Sequence, residues 1–420
     1  MKITDFMRDQ MRQVTRKFMS GNAAEATAAI QKSLKEKSTH SGAGTGAGGP
    51  NMQQFMKDLM PDKNVTPDIT GAQTELPQFV TDLLQRLGVP AQGAPNVSDI
   101  SGDAEQHSPT SDKARSDTTV PGQFLSKSFT NQAGTRTYRL YIPSTYKGQA
   151  MPLMVMLHGC TQNADDFAKG TGMNAVAEES QCFVVYPNQT QAANSSKCWN
   201  WFKSVDQQRD QGEPSIIAGI TQTVIDDYKL DAGKVYVAGL SAGGAMAIIM
   251  GTAYPDMYAA VGVHSGLPYA AAHDLPSALA AMKGSAAPAF NQRSANAQLK
   301  SIPIIVFHGD RDATVSPRNS ETLMAQSVPE YLDDELAQKG EAGKGGKPVV
   351  IVEEGKVPNG HTYTRTSHHD RNGRAMGEHW LIHGAGHAWA GGSKTGSYTD
   401  GRGPDATREM MRFFSTQSRA

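Results

Sequence analysis

Ser241, Asp312 and His387 are residues of the three types that together perform nucleophilic catalysis, and they occur in that order along the chain. A serine hydroxyl becomes a good nucleophile when an imidazole removes its proton, and a carboxylate must hold that imidazole in the correct tautomer. Attack on a carbonyl would give an acyl-enzyme, which water then releases. The three residues therefore predict hydrolysis of an acyl compound, with no cofactor.

Ser241 is the central residue of a G-x-S-x-G motif at residues 239–243. The apolar residues 235–238 before it predict a buried strand, and the apolar residues 243–253 after it predict a helix. So tight a turn from strand to helix requires small residues around a strained serine. The helix would direct its free N–H groups, including that of Ala242, at the reacting centre. The competing interpretation is an ordinary glycine-rich turn between a strand and a helix.

Asp312 is the predicted acid, because it follows a buried strand at the expected end of the sheet. The apolar run 304–307 predicts that strand, and the loop after it contains Asp310, Arg311 and Asp312. In an open parallel sheet, the loops at the carboxyl ends of the strands form the ligand site. Asp310 is the competing acid, but we expect it to bond the loop backbone or to pair with Arg311.

His387 is the predicted base, since it lies in a loop that Gly384 and Gly386 leave free to bend, after the predicted strand 379–382. His383, at the end of that strand, is interpreted as a structural residue. Three further histidines lie in a polar region before the strand, where surface exposure is expected. Their crowding could indicate a metal site, but no Cys or carboxylate at ligand spacing accompanies them, so no metal is predicted. These histidines are His361, His368 and His369.

A second hydrogen-bond donor for a negatively charged intermediate is predicted in the loop after the apolar run 153–157. The sequence His158-Gly159-Cys160 matches the turn that supplies this donor after a strand of such a sheet. The two donors of the oxyanion hole would be the backbone N–H groups of Cys160 and Ala242. Loss of one donor typically costs about 3 kcal/mol of transition-state stabilisation, so this loop must be rigid.

The order of the strands also predicts how the three cysteines are used. Cys160 and Cys198 each follow a predicted strand and therefore reach the same end of the sheet. Cys182 precedes a strand and would lie at the opposite end, too far away for a bridge. We expect a Cys160–Cys198 disulfide and a buried free thiol at Cys182. In a reducing cytosol the pair could instead stay as two thiols.

The elements that must position these residues alternate between apolar runs and helical stretches after residue 120. That order predicts an α/β fold, with a mostly parallel sheet covered by helices on both faces. Residues 121–420 are assigned to this catalytic domain and residues 1–120 to a helical, linker-rich segment. Predicted strands cover residues 136–142, 153–157, 183–186, 235–238, 260–263, 304–307, 349–352 and 379–382, and predicted helices cover residues 165–180, 216–228, 243–253, 318–326 and 404–414.

The first 120 residues combine short apolar helical patterns with polar sequence. Residues 41–50 and 91–121 are rich in Gly, Ser, Asp or Pro, which is typical of flexible linkers. We find neither the apolar run of a secretory signal nor a stretch long enough to span a membrane. A net charge of −1 gives no overall field that would gather nucleic acid. One apolar helix face consists of Ile3, Met7, Met11, Val14 and Phe18, and a later helical piece contains Leu83, Leu84 and Leu87.

Together these motifs resemble the esterase family that contains poly(3-hydroxybutyrate) depolymerases, with feruloyl and acetylxylan esterases as relatives. The resemblance covers residues 123–414 and rests on residues 157–160, 198–202, 239–243 and 386–389. It implies the α/β-hydrolase fold and hydrolysis of carboxylic esters, with short 3-hydroxyacid polyesters or acylated polysaccharides as substrates. Unlike the secreted depolymerases, the chain has no evident signal peptide, so a cytoplasmic or granule-associated location is expected.

Further expectations concern what the protein binds. Trp199, Trp201 and Trp389 are predicted walls of a substrate groove, because flat aromatic faces bind apolar ester chains or sugar rings. The alternative is that they are core residues. The Met-rich face within residues 1–38 could dock on a polyester granule or a partner, or pack on its own catalytic domain. A carbohydrate esterase is the competing enzyme, and a non-catalytic granule- or partner-binding protein is the competing class.

Overall fold

A computed structural model describes residues 121–285, 302–328 and 349–419. Within these residues, ten strands form one sheet in the order β1-β2-β4-β3-β5-β6-β7-β10-β9-β8. The strands from β4 to β10 in that order run parallel, and antiparallel strands extend the sheet at both edges. The ten strands are β1 (Gln123–Asn131), β2 (Gly134–Ile142), β3 (Leu153–Leu157), β4 (Phe183–Pro187), β5 (Val235–Leu240), β6 (Ala260–His264), β7 (Ile304–Gly309), β8 (Val349–Lys356), β9 (Thr362–His369) and β10 (Ala375–Ile382).

Helices connect the parallel strands and cover both faces of the sheet. Their order along the chain confirms the predicted α/β architecture, with a helix after β3, β4, β5, β6 and β7. A small second sheet pairs β11 (Trp389–Ala390) with β12 (Thr399–Asp400). The helices are α1 (Ala164–Thr171), α2 (Met173–Ser180), α3 (Gly212–Tyr228), α4 (Ala242–Ala253), α5 (Leu275–Met282), α6 (Arg318–Ser327) and α7 (Ala406–Ser415), with a 3-10 turn at Ser204–Gln207.

The sheet divides the apolar residues into two clusters, one on each face. In β3, Leu153, Val155 and Leu157 belong to one cluster, whereas Met154 and Met156 belong to the other. This alternation follows from the two-residue period of a strand. The central parallel strands are buried on both faces, so they read as continuous apolar runs that sequence detects well.

The structure differs from the sequence prediction where polar residues form strands and where a helix breaks. The strands β1 and β9 were not predicted, since their sequences are mostly polar and few of their side chains are fully buried. The helix α5 was also not predicted. The single helix predicted over residues 165–180 is two helices, because Gly172 adopts a left-handed φ of 64° between them.

Several sequence predictions lie outside the described residues. These are the apolar helical face within residues 1–38, the helical piece ending at residue 88, and the linkers of the first 120 residues. In the part of the chain that the structure describes, no helix is both long and apolar enough to cross a membrane.

Candidate active site

Ser241 occupies the sharp turn between β5 and α4, with φ of 57° and ψ of −118°. A residue other than glycine is strained in this conformation, and such strain is held only where the surroundings enforce it. Two glycines make the turn fit. A Cβ atom on Gly243 would lie 2.0 Å from the carbonyl oxygen of Leu157, and one on Gly239 would lie 2.3 Å from the Gly243 carbonyl. The turn therefore packs backbone against backbone on the end of β3.

His387 and Asp312 contact each other across the loops that follow β10 and β7. His387 Nδ1 lies 2.6 Å from Asp312 Oδ2. Because a carboxylate oxygen only accepts, Nδ1 carries the hydrogen and Nε2 is left as the basic nitrogen. The Asp312 side chain has no exposed surface, and that of His387 is 12% exposed. The structure thus brings the predicted acid and base together at the carboxyl edge of the sheet.

Asp312 is fixed by several donors besides His387. Its Oδ1 accepts the backbone N–H groups of Thr314 at 2.9 Å and Val315 at 2.8 Å. His308 Nε2 donates to the carbonyl of Val315 at 2.9 Å and lies 3.4 Å from Asp312 Oδ2. Burial alone would raise the pKa of Asp312, but hydrogen bonds from His308 and His387 hold it well below its usual range. His308 was not predicted, although a buried strand ending in His-Gly before Asp312 is the signal that would have found it.

Asp310, the competing acid, has a different role. Its Oδ1 accepts the Gly384 N–H at 2.7 Å, as expected for a residue that bonds loop backbone. Its Oδ2 contacts His383 Nδ1 at 3.1 Å, so its partner is His383 rather than Arg311. His383 Nε2 in turn contacts Thr364 Oγ1 at 2.9 Å. Asp310 and His383 therefore join the loop after β7 to the loop after β10.

His264, at the end of β6, links the Ser241 turn to the segment that carries His387. Its backbone carbonyl accepts the Ser241 N–H at 2.9 Å, and its Nε2 accepts the Ala390 N–H at 2.9 Å. Its ring stacks on Phe307 and Trp389, at centroid distances of 5.8 and 5.3 Å. Burial lowers the pKa of His264 to about 3, which keeps the ring neutral and able to accept. Sequence reasoning missed this residue.

The Cys160 loop, residues 158–162, follows β3 and packs on the Ser241 turn. A Cβ atom on Gly159 would lie 3.5 Å from the carbonyl oxygen of Leu240, the residue before Ser241. Cys160 and Cys198 form a disulfide, which confirms the pairing predicted from the strand order. Cys182 is a buried free thiol, and burial raises its pKa to about 12.

Side-chain hydrogen bonds hold the Cys160 loop in place. Gln162 is buried; its Oε1 accepts the Gly159 N–H at 2.9 Å and its Nε2 donates to Asp166 at 2.9 Å. His158 Nδ1 donates to the Gly159 carbonyl at 2.8 Å, and its Nε2 accepts the Gln189 N–H at 3.0 Å. Burial lowers the pKa of His158 to about 4, so it is neutral at pH 7. The Cys160 N–H makes no hydrogen bond to any described residue and is free to meet a ligand.

A buried polar cluster lies beneath the segment that contains Cys198. Arg136 Nε donates to Gln189 Oε1 at 2.9 Å, and Gln189 Nε2 donates both to the Cys198 carbonyl at 3.0 Å and to Glu213. Glu213 also accepts the Asn200 N–H at 2.7 Å. Buried charged groups persist when they are paired and hydrogen-bonded in this way. Sequence reasoning did not find this cluster, because its members are far apart along the chain.

The tryptophans correct one prediction. Trp199 and Trp389 have no exposed surface and Trp201 is only 6% exposed. Trp199 packs on His158 at 5.6 Å, while Trp389 packs on Phe167 at 5.4 Å. Residues without accessible surface cannot form the wall of a groove, so that prediction is wrong for Trp199 and Trp389, and Trp201 too belongs mainly to the core.

The histidines before β10 correct another prediction. His368 lies in β9 and is 6% exposed, and the His361 side chain is 11% exposed. His361 Nε2 contacts Asp400 Oδ2 at 2.8 Å. Surface exposure is therefore wrong for both, because tertiary contacts, such as that of His361 with Asp400, cover these side chains. In the described ranges, no three His, Cys, Asp or Glu side chains group as a metal site would require.

Comparison with known proteins shows which family the sequence matches. Residues 136–344 match the family described as Esterase PHB depolymerase. The chain is 32% identical over 244 residues to poly(3-hydroxyalkanoate) depolymerase C of Paucimonas lemoignei, an alignment covering 56% of this chain and 58% of that one. It is 31% identical over 162 residues to probable acetylxylan esterase A of Aspergillus fumigatus, covering 38% and 42%. It thus spans less than two thirds of the length of either relative.

A solved structure shows the same fold. The acetyl xylan esterase from Aspergillus awamori superposes with a TM-score of 0.50 at 18% identity, over 67% of this chain and 94% of that chain. At this level of identity the likeness concerns the fold alone. It confirms the α/β-hydrolase fold.

Proposed function

We propose, from the match of residues 136–344 to the Esterase PHB depolymerase family, that the protein is a serine esterase that works through an acyl-enzyme. The observation that carries the proposal is the 2.6 Å contact of His387 Nδ1 with buried Asp312, at the sheet edge where the Ser241 turn ends β5. The acid, base and nucleophile follow one another in the order typical of this fold.

In the proposed reaction, Ser241 Oγ attacks the ester carbonyl carbon while His387 Nε2 takes the hydroxyl proton. Asp312 remains ionised and stabilises the imidazolium through the Nδ1–H bond. The backbone N–H groups of Cys160 and Ala242 donate to the oxyanion, and the N-terminal end of α4 favours the same negative charge. His387 then protonates the departing alcohol. Water, deprotonated by His387, attacks the acyl-enzyme and releases the carboxylic acid and free Ser241.

Polyesters or oligomers of 3-hydroxybutyrate are the proposed substrate class. The matching family and the relative from Paucimonas lemoignei support this class. An acylated carbohydrate is the second candidate, which the similarity to an acetylxylan esterase supports. Docking of residues 1–38 on a polyester granule stays a prediction, because those residues lie outside the described ranges.

Turnover of the Ser241→Ala variant tests the mechanism. We expect the variant to lose about 10⁴-fold or more of kcat toward p-nitrophenyl acetate, since the nucleophile is gone while the fold keeps its core. The assay would compare wild type and variant on p-nitrophenyl acetate, hydroxybutyrate oligomers and feruloyl esters. Wild-type turnover by a folded variant would exclude the proposed nucleophile, and the ranking of the substrates would decide between the two classes.

A further inference from the structure

Tyr398 presents an exposed aromatic ring beside the candidate active site, and none of the catalytic groups described above uses it. Tyr398 is 37% exposed, and it is the one aromatic residue among the markedly exposed large apolar side chains of the described ranges. It lies in the segment between β11 and β12. An accessible aromatic face beside a site can pack on the apolar part of a bound ligand.

The hydroxyl of Tyr398 is tied to the Cys160 loop. Tyr398 Oη and Thr161 Oγ1 are 3.1 Å apart, and Thr161 Oγ1 donates its hydrogen to the Cys160 carbonyl at 2.6 Å. Since a threonine hydroxyl has one hydrogen, it must accept from Tyr398. The tyrosine O–H is therefore directed at the residue next to the proposed oxyanion donor. The bond adds to the backbone contacts that hold Tyr398 at that side of the site.

The backbone of Tyr398 is tied to the segment on the other side. Its carbonyl accepts the Trp389 N–H at 2.7 Å, and Trp389 lies two residues after His387. Tyr398 adopts a left-handed φ of 52°, which a tyrosine keeps only where its neighbours enforce it. Tyr398 thus joins the two loops that carry the oxyanion donor and the base.

The segment that holds Tyr398 is packed tightly on α1. A Cβ atom on Gly396 would lie 2.4 Å from Gly170 Cα, so two backbones meet there without side chains between them. The Ser397 N–H donates to Asp166 Oδ1 at 2.9 Å, and the Ser393 N–H donates to the Gly170 carbonyl at 2.8 Å. These contacts make a rigid support, as a preformed binding surface requires.

We propose that Tyr398 determines substrate specificity by packing its ring against the part of an extended ester chain that continues beyond the scissile group. This inference rests on the proposed function of Ser241. The ring suits aliphatic hydroxyacyl units, which bind by apolar contact, and Tyr398 contacts both the Cys160 loop and the segment after His387. The substrate class that we assign to this ring is therefore an oligoester, which has apolar units beyond the scissile ester.

The test compares selectivity between a long and a short ester. We expect Tyr398→Ala to lower the ratio of kcat/KM for a hydroxybutyrate tetramer to that for p-nitrophenyl acetate about tenfold, the loss expected for one well-packed aromatic contact. Tyr398→Phe keeps the ring and loses only the bond to Thr161, so its ratio should stay within about twofold of wild type. Leu279→Ala, at an exposed position on α5 outside the site, is the control for general effects of removing a surface side chain.

The outcomes separate this inference from the proposed function. If Tyr398→Ala lowers kcat/KM for both esters by the same factor, the residue only positions the loops and the inference is overturned. The inference is also overturned if Tyr398→Phe loses as much selectivity as Tyr398→Ala. If wild-type protein hydrolyses neither ester, the proposed function fails and the inference fails with it. Thermal unfolding of each variant checks that the compared proteins are folded.

Discussion

The Cys160 loop and the His387 loop, residues 383–390, lie at the same edge of the sheet but are held in different ways. The Cys160 loop is crosslinked to Cys198 and bound by the side-chain amide of Gln162. The His387 loop has no covalent crosslink and is bound by side-chain and backbone hydrogen bonds, several of them to the residues after β7. There the Arg311 N–H donates to the Ala385 carbonyl at 3.0 Å, and a Cβ atom on Gly309 would lie 2.3 Å from the same oxygen.

The difference follows from what each loop has to do. An oxyanion donor stabilises the transition state only if it is already in place, so the loop that carries the Cys160 N–H gains from a covalent anchor. A base needs the right tautomer and orientation, and one buried carboxylate supplies both. We therefore expect the His387 loop to depend on Asp312 for chemistry, and the Cys160 loop to depend on its disulfide for stability.

The largest expected effect is on the base. Asp312→Asn replaces a carboxylate that accepts the His387 Nδ1–H with an amide that can donate to it, which favours the wrong tautomer. We expect kcat toward p-nitrophenyl acetate to fall on the order of 10⁴-fold, the loss seen when a triad carboxylate becomes an amide. The measurement is steady-state kinetics on folded protein, with folding checked by near-UV circular dichroism.

Asp310→Asn is the matched control for this substitution. Asp310 is two residues away and lies in the same loop, yet its side chain is 34% exposed and contacts His383 rather than His387. Its replacement should lower kcat less than about tenfold, since only a partly exposed loop contact is lost. Equal losses for the two variants would contradict the assignment of Asp312 as the acid.

The second effect concerns the stability of the Cys160 loop. The disulfide joins residues 38 positions apart. Closing a loop of that size in the unfolded chain corresponds to about 3 to 4 kcal/mol, so the double variant Cys160→Ala, Cys198→Ala should lose that much free energy of unfolding. Urea denaturation of wild type and the double variant measures the difference.

A reducing agent gives the control for that measurement. Dithiothreitol should destabilise the wild type to the level of the double variant, and it should leave the double variant itself unchanged. An unchanged midpoint for wild type after verified reduction would mean that side-chain bonds such as that of Gln162 suffice to hold the loop. The comparison between the two loops would then lose its physical basis.

The sequence predicted the parts of the site that directly follow continuous apolar runs. The strands β3, β5 and β7 are buried on both faces, so the loops after them, with Cys160, Ser241 and Asp312, could be placed by reading where each run ends. The Cys160–Cys198 pairing followed from the same strand order. These inferences needed only local pattern and the general topology of parallel sheets.

Sequence failed where burial depends on contacts between distant residues. Trp389 looks like a groove wall, but its indole nitrogen donates to Thr407, 18 residues later, and its ring lies against α1. His264 carries no local signal of its role, since its ring accepts the N–H of Ala390, 126 residues later in the chain. The polar strand β9 forms through its pairing with β10 on one side and β8 on the other, and most of its side chains are only partly buried. Burial of this kind depends on tertiary contacts, which the local hydrophobic pattern of a segment does not reveal.

The smallest expected effect is the loss of free energy of unfolding per unit decrease in pH, and both loops should contribute to it. His158 supports the Cys160 loop and His264 supports the His387 loop, and burial lowers their pKa values to about 4 and about 3. The unfolded chain binds protons at these histidines near pH 6.5, whereas the folded protein does not, so stability is complete above pH 6.5 and falls as the pH drops. Each histidine should lower the free energy of unfolding by roughly 1 kcal/mol per pH unit between pH 6 and 4.

Urea denaturation at several pH values measures this slope. The His264→Gln variant should reduce this slope. The control is His273→Gln, whose native side chain is 74% exposed and whose replacement should keep the slope. An unchanged slope in His264→Gln would show that the His387 loop does not depend on a neutral His264.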